Sequence, residues 1–120
     1  MIRKLEEKDI TKIVELEEKI FGETLGVEML HSELSNPLVW FRVIENENQV
    51  IGYIGGYFYD GAGEIINFLI DDIYQRKGYG TLLFNSLIEE ARVAGIKQIS
   101  VRKHYYKDGE NALVMMKEIK

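Results

Sequence analysis

Between Leu38 and Ile70 the chain carries three strand-like runs in immediate succession, and at Gly80 its hydrophobic period changes to that of a helix. That change restricts the possible folds more than anything else in the sequence. Leu38 to Glu45 is the first run, turned by Asn46-Glu47-Asn48. Val50 to Tyr59 is the second, with Gly52, Gly55 and Gly56 inside it, and Asp60-Gly61-Ala62-Gly63 turns it into a third, Glu64 to Ile70. Connections this short join antiparallel neighbours, so the three runs read as a meander. From Gly80 to Ala94 the residues Leu83, Leu87, Ala91 and Ala94 form one stripe, widened by Phe84 and Ile88, and Gly95 closes the helix.

Two helices precede the meander. Asp9 is placed to cap a helix whose apolar positions Ile10, Ile13, Val14, Leu16, Ile20 and Phe21 share a face, with Gly22 as its stop. Val27, Leu30 and Leu34 fit a second, short helix ended by Ser35-Asn36-Pro37. After the long helix, Ile96 to Val101 and Ala112 to Met116 read as strands, with Asp108-Gly109 as a turn between them. The order predicts an α+β (mixed α/β) fold, one domain over residues 1–120, with helices packed on a single sheet. A hydrophobic content of 46% is enough to build that core without cross-links, and the chain has no cysteine to make them.

Charge narrows the partners. A net charge of −5 argues against direct binding of nucleic acid and favours a basic acceptor. The first residues, Met1-Ile2-Arg3-Lys4-Leu5-Glu6-Glu7, run into charge without the apolar stretch of a signal segment, and no run reaches the length of a membrane span. A cytoplasmic protein without membrane contact is expected. No cluster has metal-ligand spacing, so no metal is expected either.

Against the acidic background, Gln75-Arg76-Lys77-Gly78-Tyr79-Gly80 stands at the junction of the third strand and the long helix. A helix N-terminus presents unpaired N–H groups and the positive end of the helix dipole. Gly78 and Gly80 let the backbone approach a bulky anion, and Arg76 and Lys77 add charge beside it. The turn suits a diphosphate, although a tight turn with solvated basic residues has the same local sequence. It is neither a nucleoside-triphosphate loop nor a dinucleotide fingerprint, because neither glycine spacing is present.

Gln75-Arg76-Lys77-Gly78-Tyr79-Gly80 matches the Q/R-x-x-G-x-G/A signature of the GNAT acetyltransferases, and the chain resembles that family over nearly its whole length. Asn67-Phe68-Leu69-Ile70-Asp71 and Leu82-Leu83 resemble the family's central strand and helix. Arg102-Lys103-His104-Tyr105-Tyr106, followed by Asp108-Gly109-Glu110-Asn111-Ala112-Leu113-Val114-Met115, is similar to the C-terminal strand and loop of RimI-like protein N-terminal acetyltransferases, which modify the terminal alanine of a ribosomal protein. The resemblance implies a mostly antiparallel sheet with a splayed central strand, and acetyl-CoA as co-substrate. It implies that Phe68, Leu69 and Ile70 hold the pantetheine arm through their backbone. Arg76, Lys77, Gly78, Tyr79, Gly80 and Thr81 would hold the diphosphate. Tyr105 and Tyr106 would line the acceptor groove, opposite the loop around Phe21 to Leu25; core packing is the alternative for the tyrosine pair.

The chain departs from that family in one place. Ile99-Ser100-Val101-Arg102 runs directly into Lys103-His104-Tyr105-Tyr106, where RimI-like chains carry roughly two dozen further residues forming a penultimate helix and strand. The strand glutamate and the tyrosine that the resemblance implies as proton acceptor and donor have no match, and Ser100 stands nearest the glutamate's place. The catalytic acid and base are therefore unassigned. Glu23 and His104 are weak substitutes, His31 reads as surface, Glu64 as strand-edge charge, and Tyr53, Tyr57 and Tyr59 share a strand face as core or groove lining. The expected acceptor is a protein N-terminus, which the resemblance implies to be that of a ribosomal protein. The alternatives are a small amine, or an acetyl-CoA-binding module without turnover. The shortened sheet would leave a raw edge open to dimerisation or domain exchange.

Overall fold

The computed structural model describes residues 1–101 and 116–118. Six strands form one sheet in chain order: β1 (Ile2–Lys4), β2 (Val39–Asn46), β3 (Gln49–Tyr59), β4 (Ala62–Ile70), β5 (Gln98–Val101) and β6 (Met116–Glu118). Every pair is antiparallel except β4 with β5. A parallel pair needs a crossover, and the helix α3 (Tyr79–Val93) supplies it. The predicted meander is β2, β3 and β4. The expected last strand, Ala112 to Met116, begins at Met116 in the structure, and residues 112–115 lie outside the described part.

Each face of the sheet buries its own cluster. Helices α1 (Ile10–Phe21) and α2 (Val27–Glu33) cover one side, where Ile13, Leu16 and Leu30 meet Phe41, Val43, Tyr53 and Leu69. On the other side Leu83, Leu87 and Ala91 of α3 meet Ile44, Ile54, Ile65 and Ile99. Burying each large side chain contributes about 1.5–3 kcal/mol, so these two layers hold the sheet between helices. Arg42 on β2 forks onto Glu90 of α3 at 2.9 and 2.6 Å while lying over the Trp40 ring, which adds a polar tie to the second layer.

Two local expectations change. Strand β1 is only three residues long, two of them charged, and too short to show an alternation. Its neighbours hold it: Glu45 N–H donates to the Met1 carbonyl at 2.8 Å and Leu5 N–H to that of Phe41 at 3.2 Å. Asp9 is not a side-chain cap of α1. Its carboxylate turns back to accept from Arg3 at 2.8 and 3.0 Å and from the Glu6 N–H at 2.8 Å, because a buried carboxylate is better satisfied by a guanidinium than by a helix end. Gly22 closes α1 with φ of +76°, as its position predicts.

The glycines inside β3 have a steric cause. A methyl group on Gly56 would stand 2.0 Å from the Glu64 carbonyl oxygen of β4, which is backbone and cannot swing aside. We expect Gly56→Ala to cost about 1–3 kcal/mol or more, read as a fall of several degrees in the thermal unfolding midpoint. An unchanged midpoint would show that the two strands can separate at this point without penalty.

Candidate functional site

Strand β4 is held by β3 along its whole length, from Tyr59↔Ala62 to Gly52↔Ile70, but by β5 only from Ala62 to Ile65. The register explains why the two part. Gly56 faces Ile65 and Gly55 faces Asn67, so Ile66 is an extra residue in β4. Such a bulge bends its strand. Beyond Ile65 the flank of β4 that faced β5 has no strand partner among the described residues. The expected splayed central strand is this fork.

Alternation shows which backbone groups the open flank presents. Asp71 N–H donates to the Ile51 carbonyl of β3 at 2.7 Å, so Asp71 and Leu69 point inward while Ile70 and Phe68 point outward. The outward groups have light local partners. The Gln75 side chain donates to the Ile70 carbonyl at 2.9 Å, and the Phe68 N–H donates to the Asn67 Oδ1 at 3.1 Å.

At the end of the open flank, Gly78 takes φ of +90° and α3 begins at Tyr79 with no side-chain cap. Leu82 N–H is the first to bond within the helix, to Gly78 at 3.1 Å, which leaves the preceding amides of the turn directed outward. Arg76 itself adopts a left-handed φ of +63°, as the tight approach to the helix demands. A groove of about 320 Å³ runs here, lined by Phe68, Leu69, Ile70, Gln75, Arg76 and Gly80, with Ile20 of α1 opposite. The structure thus brings the strand residues and the turn of the sequence signature together. Lys77 lies over the Tyr74 ring at 5.8 Å, and Tyr79 packs edge-on against Tyr74. Thr81 is exposed in the first turn of α3. Tyr105 and Tyr106, together with Arg102, Lys103 and His104, lie outside the described residues.

The sequence did not point to Glu17. This carboxylate is fully buried under α1. It accepts from Thr24 Oγ1 at 2.5 Å, from Leu25 N–H at 3.2 Å, and from both Tyr53 Oη and Asn67 Nδ2, while Asn67 also donates to Tyr53. One side chain therefore fixes the α1–α2 loop, β3 and the bulged segment of β4. A signal was present: Glu17 is four residues after Ile13 and seven after Ile10, so it stands on the buried stripe of α1. Of the three even-spaced tyrosines, Tyr53 is core, Tyr57 is half-buried with its hydroxyl on Glu33 at 2.8 Å, and Tyr59 is exposed.

Lys19, two residues past Glu17, bridges to Asp71 at 2.6 Å and Asp72 at 2.8 Å, at the start of the segment leading into the turn. Hydrogen bonds that Lys19 donates to Asp71 and then Asp72 raise its ammonium to about 12, and Lys19 in turn lowers Asp72. A raised lysine gives its stabilisation fully below its unfolded value of ~10.4 and loses it as pH rises through about 12. A lowered carboxylate gives its share above ~3.9 and loses it on acidification. The tie is intact across the neutral range. Among the described residues there is no group of three potential metal ligands, and no helix is long and apolar enough to cross a membrane.

Comparison with known proteins agrees with this geometry. A model of the acetyltransferase (GNAT) family matches residues 8–113. An uncharacterized N-acetyltransferase of Methanocaldococcus jannaschii is 27% identical, over 98% of this chain and 91% of the relative. That alignment spans 142 positions, more than the 120 residues of this chain can fill, so the relative carries segments without a counterpart here. The Escherichia coli ribosomal-protein-S18-alanine N-acetyltransferase has the same fold, with a TM-score of 0.83 at 16% identity, covering 100% of this chain and 94% of that one. The PaiA N-acetyltransferase of Thermoplasma acidophilum, solved with coenzyme A, gives 0.75 at 18% identity over 98% of both chains.

Two outcomes follow for the supports of the groove. Glu17→Ala strands the Tyr53 hydroxyl and the Asn67 amide in the core, at an expected cost of about 3 kcal/mol or more in urea unfolding. A loss below 1 kcal/mol would mean that the cluster rearranges freely. Lys19→Ala removes a solvent-exposed cation from the buried Asp71 and the exposed Asp72, so affinity for acetyl-CoA should fall by no more than about fivefold, and less in high salt. A calorimetric titration at two salt concentrations checks this.

Proposed function

Because the chain belongs to the acetyltransferase (GNAT) family, an N-acetyltransferase with acetyl-CoA as co-substrate, we propose that it acetylates the N-terminal α-amine of a protein, as the alanine terminus of a ribosomal protein is acetylated by RimI-like enzymes. The observation that carries the co-substrate's place is the open flank of β4 ending at the first turn of α3. The diphosphate would sit on the amides of Gly78, Tyr79, Gly80 and Thr81, with Arg76 and Lys77 supplying charge. A side chain at Gly78 would disfavour the left-handed backbone there, and none is present. The pantetheine arm would run along Phe68, Leu69 and Ile70 and pair with the outward backbone groups as a missing strand would. The local partners of Phe68 and Ile70 are single side-chain bonds that a ligand can replace.

Support for the N-terminal acceptor comes from the run Arg102 to Met115, with Tyr105 and Tyr106 proposed in the acceptor groove, and from the whole-chain fold likeness to the ribosomal-protein enzyme. The chemistry favours the same choice. An α-amine has a pKa of about 7.7–8.0, so roughly a tenth is already neutral at pH 7, whereas a lysine near 10.4 is neutral about once in two thousand. Holding a neutral amine against the thioester supplies much of the rate by positioning alone.

The test pairs calorimetric binding of acetyl-CoA with a thiol-release assay. An alanine-started peptide should be acetylated at least tenfold faster than a peptide with a blocked terminus and a free lysine. Preference for the lysine peptide or for a small amine would overturn the N-terminal acceptor. Tight binding with no turnover of any amine would identify a binding module instead.

A further inference from the structure

Phe68 presents its N–H to the open flank of β4, and the side chain next to it takes that N–H up. The acceptor is Asn67 Oδ1, at 3.1 Å. A carboxamide carries an acceptor at one end and donors at the other, so the end that faces the flank has to be fixed by a neighbour. Glu17 fixes it. Donors converge on both of its oxygens, Thr24 and Leu25 on Oε1, Tyr53 and Asn67 on Oε2. A carboxylate offers acceptors only, so the Asn67 nitrogen turns inward to it and the oxygen faces outward. Asn67 is buried and Glu17 wholly enclosed, which holds the carboxamide from behind. The Gln75 side chain, bonded to the Ile70 carbonyl farther along the flank, is exposed by comparison.

That outward oxygen occupies the place of a strand partner. A ligand lying along the flank as a further strand sets a carbonyl against the Phe68 N–H. The N–H has a single hydrogen to give, so Asn67 Oδ1 and the ligand carbonyl compete for it. In the empty groove the same bond covers an edge N–H that would otherwise invite pairing with another chain.

We infer that the Asn67 carboxamide, aimed by Glu17, is an internal competitor for the coenzyme A arm, an assignment that rests on the co-substrate placement proposed above. It closes the Phe68 N–H while the groove is empty and loosens the grip on the arm when the groove is filled. Asn67 is a positioning residue here, because it acts through the Phe68 amide. The arm is the same before and after acetyl transfer, so the competition weakens the hold on the product as much as on the co-substrate and hastens its release.

Asn67→Ala removes the competitor and leaves Glu17 its donors from Tyr53, Thr24 and Leu25. In calorimetric titration it should bind coenzyme A about two- to tenfold more tightly than the wild type, the worth of one net hydrogen bond. Adenosine 3′,5′-bisphosphate, a nucleotide without the arm, should bind both proteins equally. Glu17→Gln reaches the same end without shortening Asn67. Its new NH2 group needs an acceptor, the Asn67 carboxamide turns over to supply one, and coenzyme A should again bind more tightly. Tyr53→Phe disturbs the same buried cluster but spares the Asn67–Phe68 bond, so its affinity should stay within about twofold of wild type. Hydrogen exchange at the Phe68 amide supplies a readout apart from affinity. It should be slow in the free wild type, fast in free Asn67→Ala, and slow in both with coenzyme A bound.

Equal or weaker coenzyme A binding by a folded Asn67→Ala would overturn the competition while leaving the proposed function standing. Fast exchange at Phe68 in the free wild type would do the same, as would a bisphosphate affinity that rises along with that of coenzyme A. Should Asn67→Ala fail to fold, Glu17→Gln and the wild-type exchange rate still decide the matter. A wild type that binds no coenzyme A would overturn the co-substrate placement and this inference together.

Discussion

The structure depends on one strand being paired unequally on its two sides. β4 runs its full length against β3, which fixes it in the sheet, yet keeps β5 for only four residues. The cause is a single surplus residue, Ile66, and the bend it forces. The Glu17 carboxylate secures the bulged segment by accepting from Asn67, and from Tyr53 on the neighbouring strand. Those contacts join residues 36 and 50 positions apart along the chain. They also extend to the α1–α2 loop through Thr24 and Leu25, so the same buried group sets the position of the loop beside the groove and the shape of the strand that forms it.

The site that results is electrically graded. The turn at Arg76 and Lys77, with the helix end behind it, is suited to an anion, while Glu64 and the Tyr57–Glu33 pair near the fork suit a cationic amine. On a chain of net charge −5 the basic end is local, and it coincides with the start of α3, with eight residues separating it from the end of the open strand. The two ends of a thioester co-substrate differ in the same sense, with diphosphate at one end and the reacting carbonyl at the other. Orientation of the ligand follows from charge before any shape is considered.

Much of this was legible in the residues, and what was not has identifiable causes. The meander, α1 with its Gly22 stop and α3 follow from period and turn chemistry, because each is long enough to repeat its pattern. The Gly78–Gly80 turn before α3 is a local sequence and was visible as such. The bulge was not, since Ile65-Ile66-Asn67 continues an apolar run and gives no sign that two neighbours will face one side. Glu17 was hidden by the habit of reading charged residues on helices as solvated, although its spacing put it on the buried stripe. Pairing of β4 with β5, which sets Glu64 opposite Ser100, was not legible because it is not encoded near either residue. Strand β1 has too few residues for any alternation to show.

The Gln75 side chain carries one more consequence. Its hydrogen bond to the Ile70 carbonyl joins the turn before α3 to the last residue of β4. The two halves of the groove are thereby mechanically continuous, and ordering one restricts the other. A nucleotide fragment lacking the arm would stiffen the strand edge it never touches, so that the arm, arriving as a separate molecule, would meet a surface whose configurational freedom had already been withdrawn.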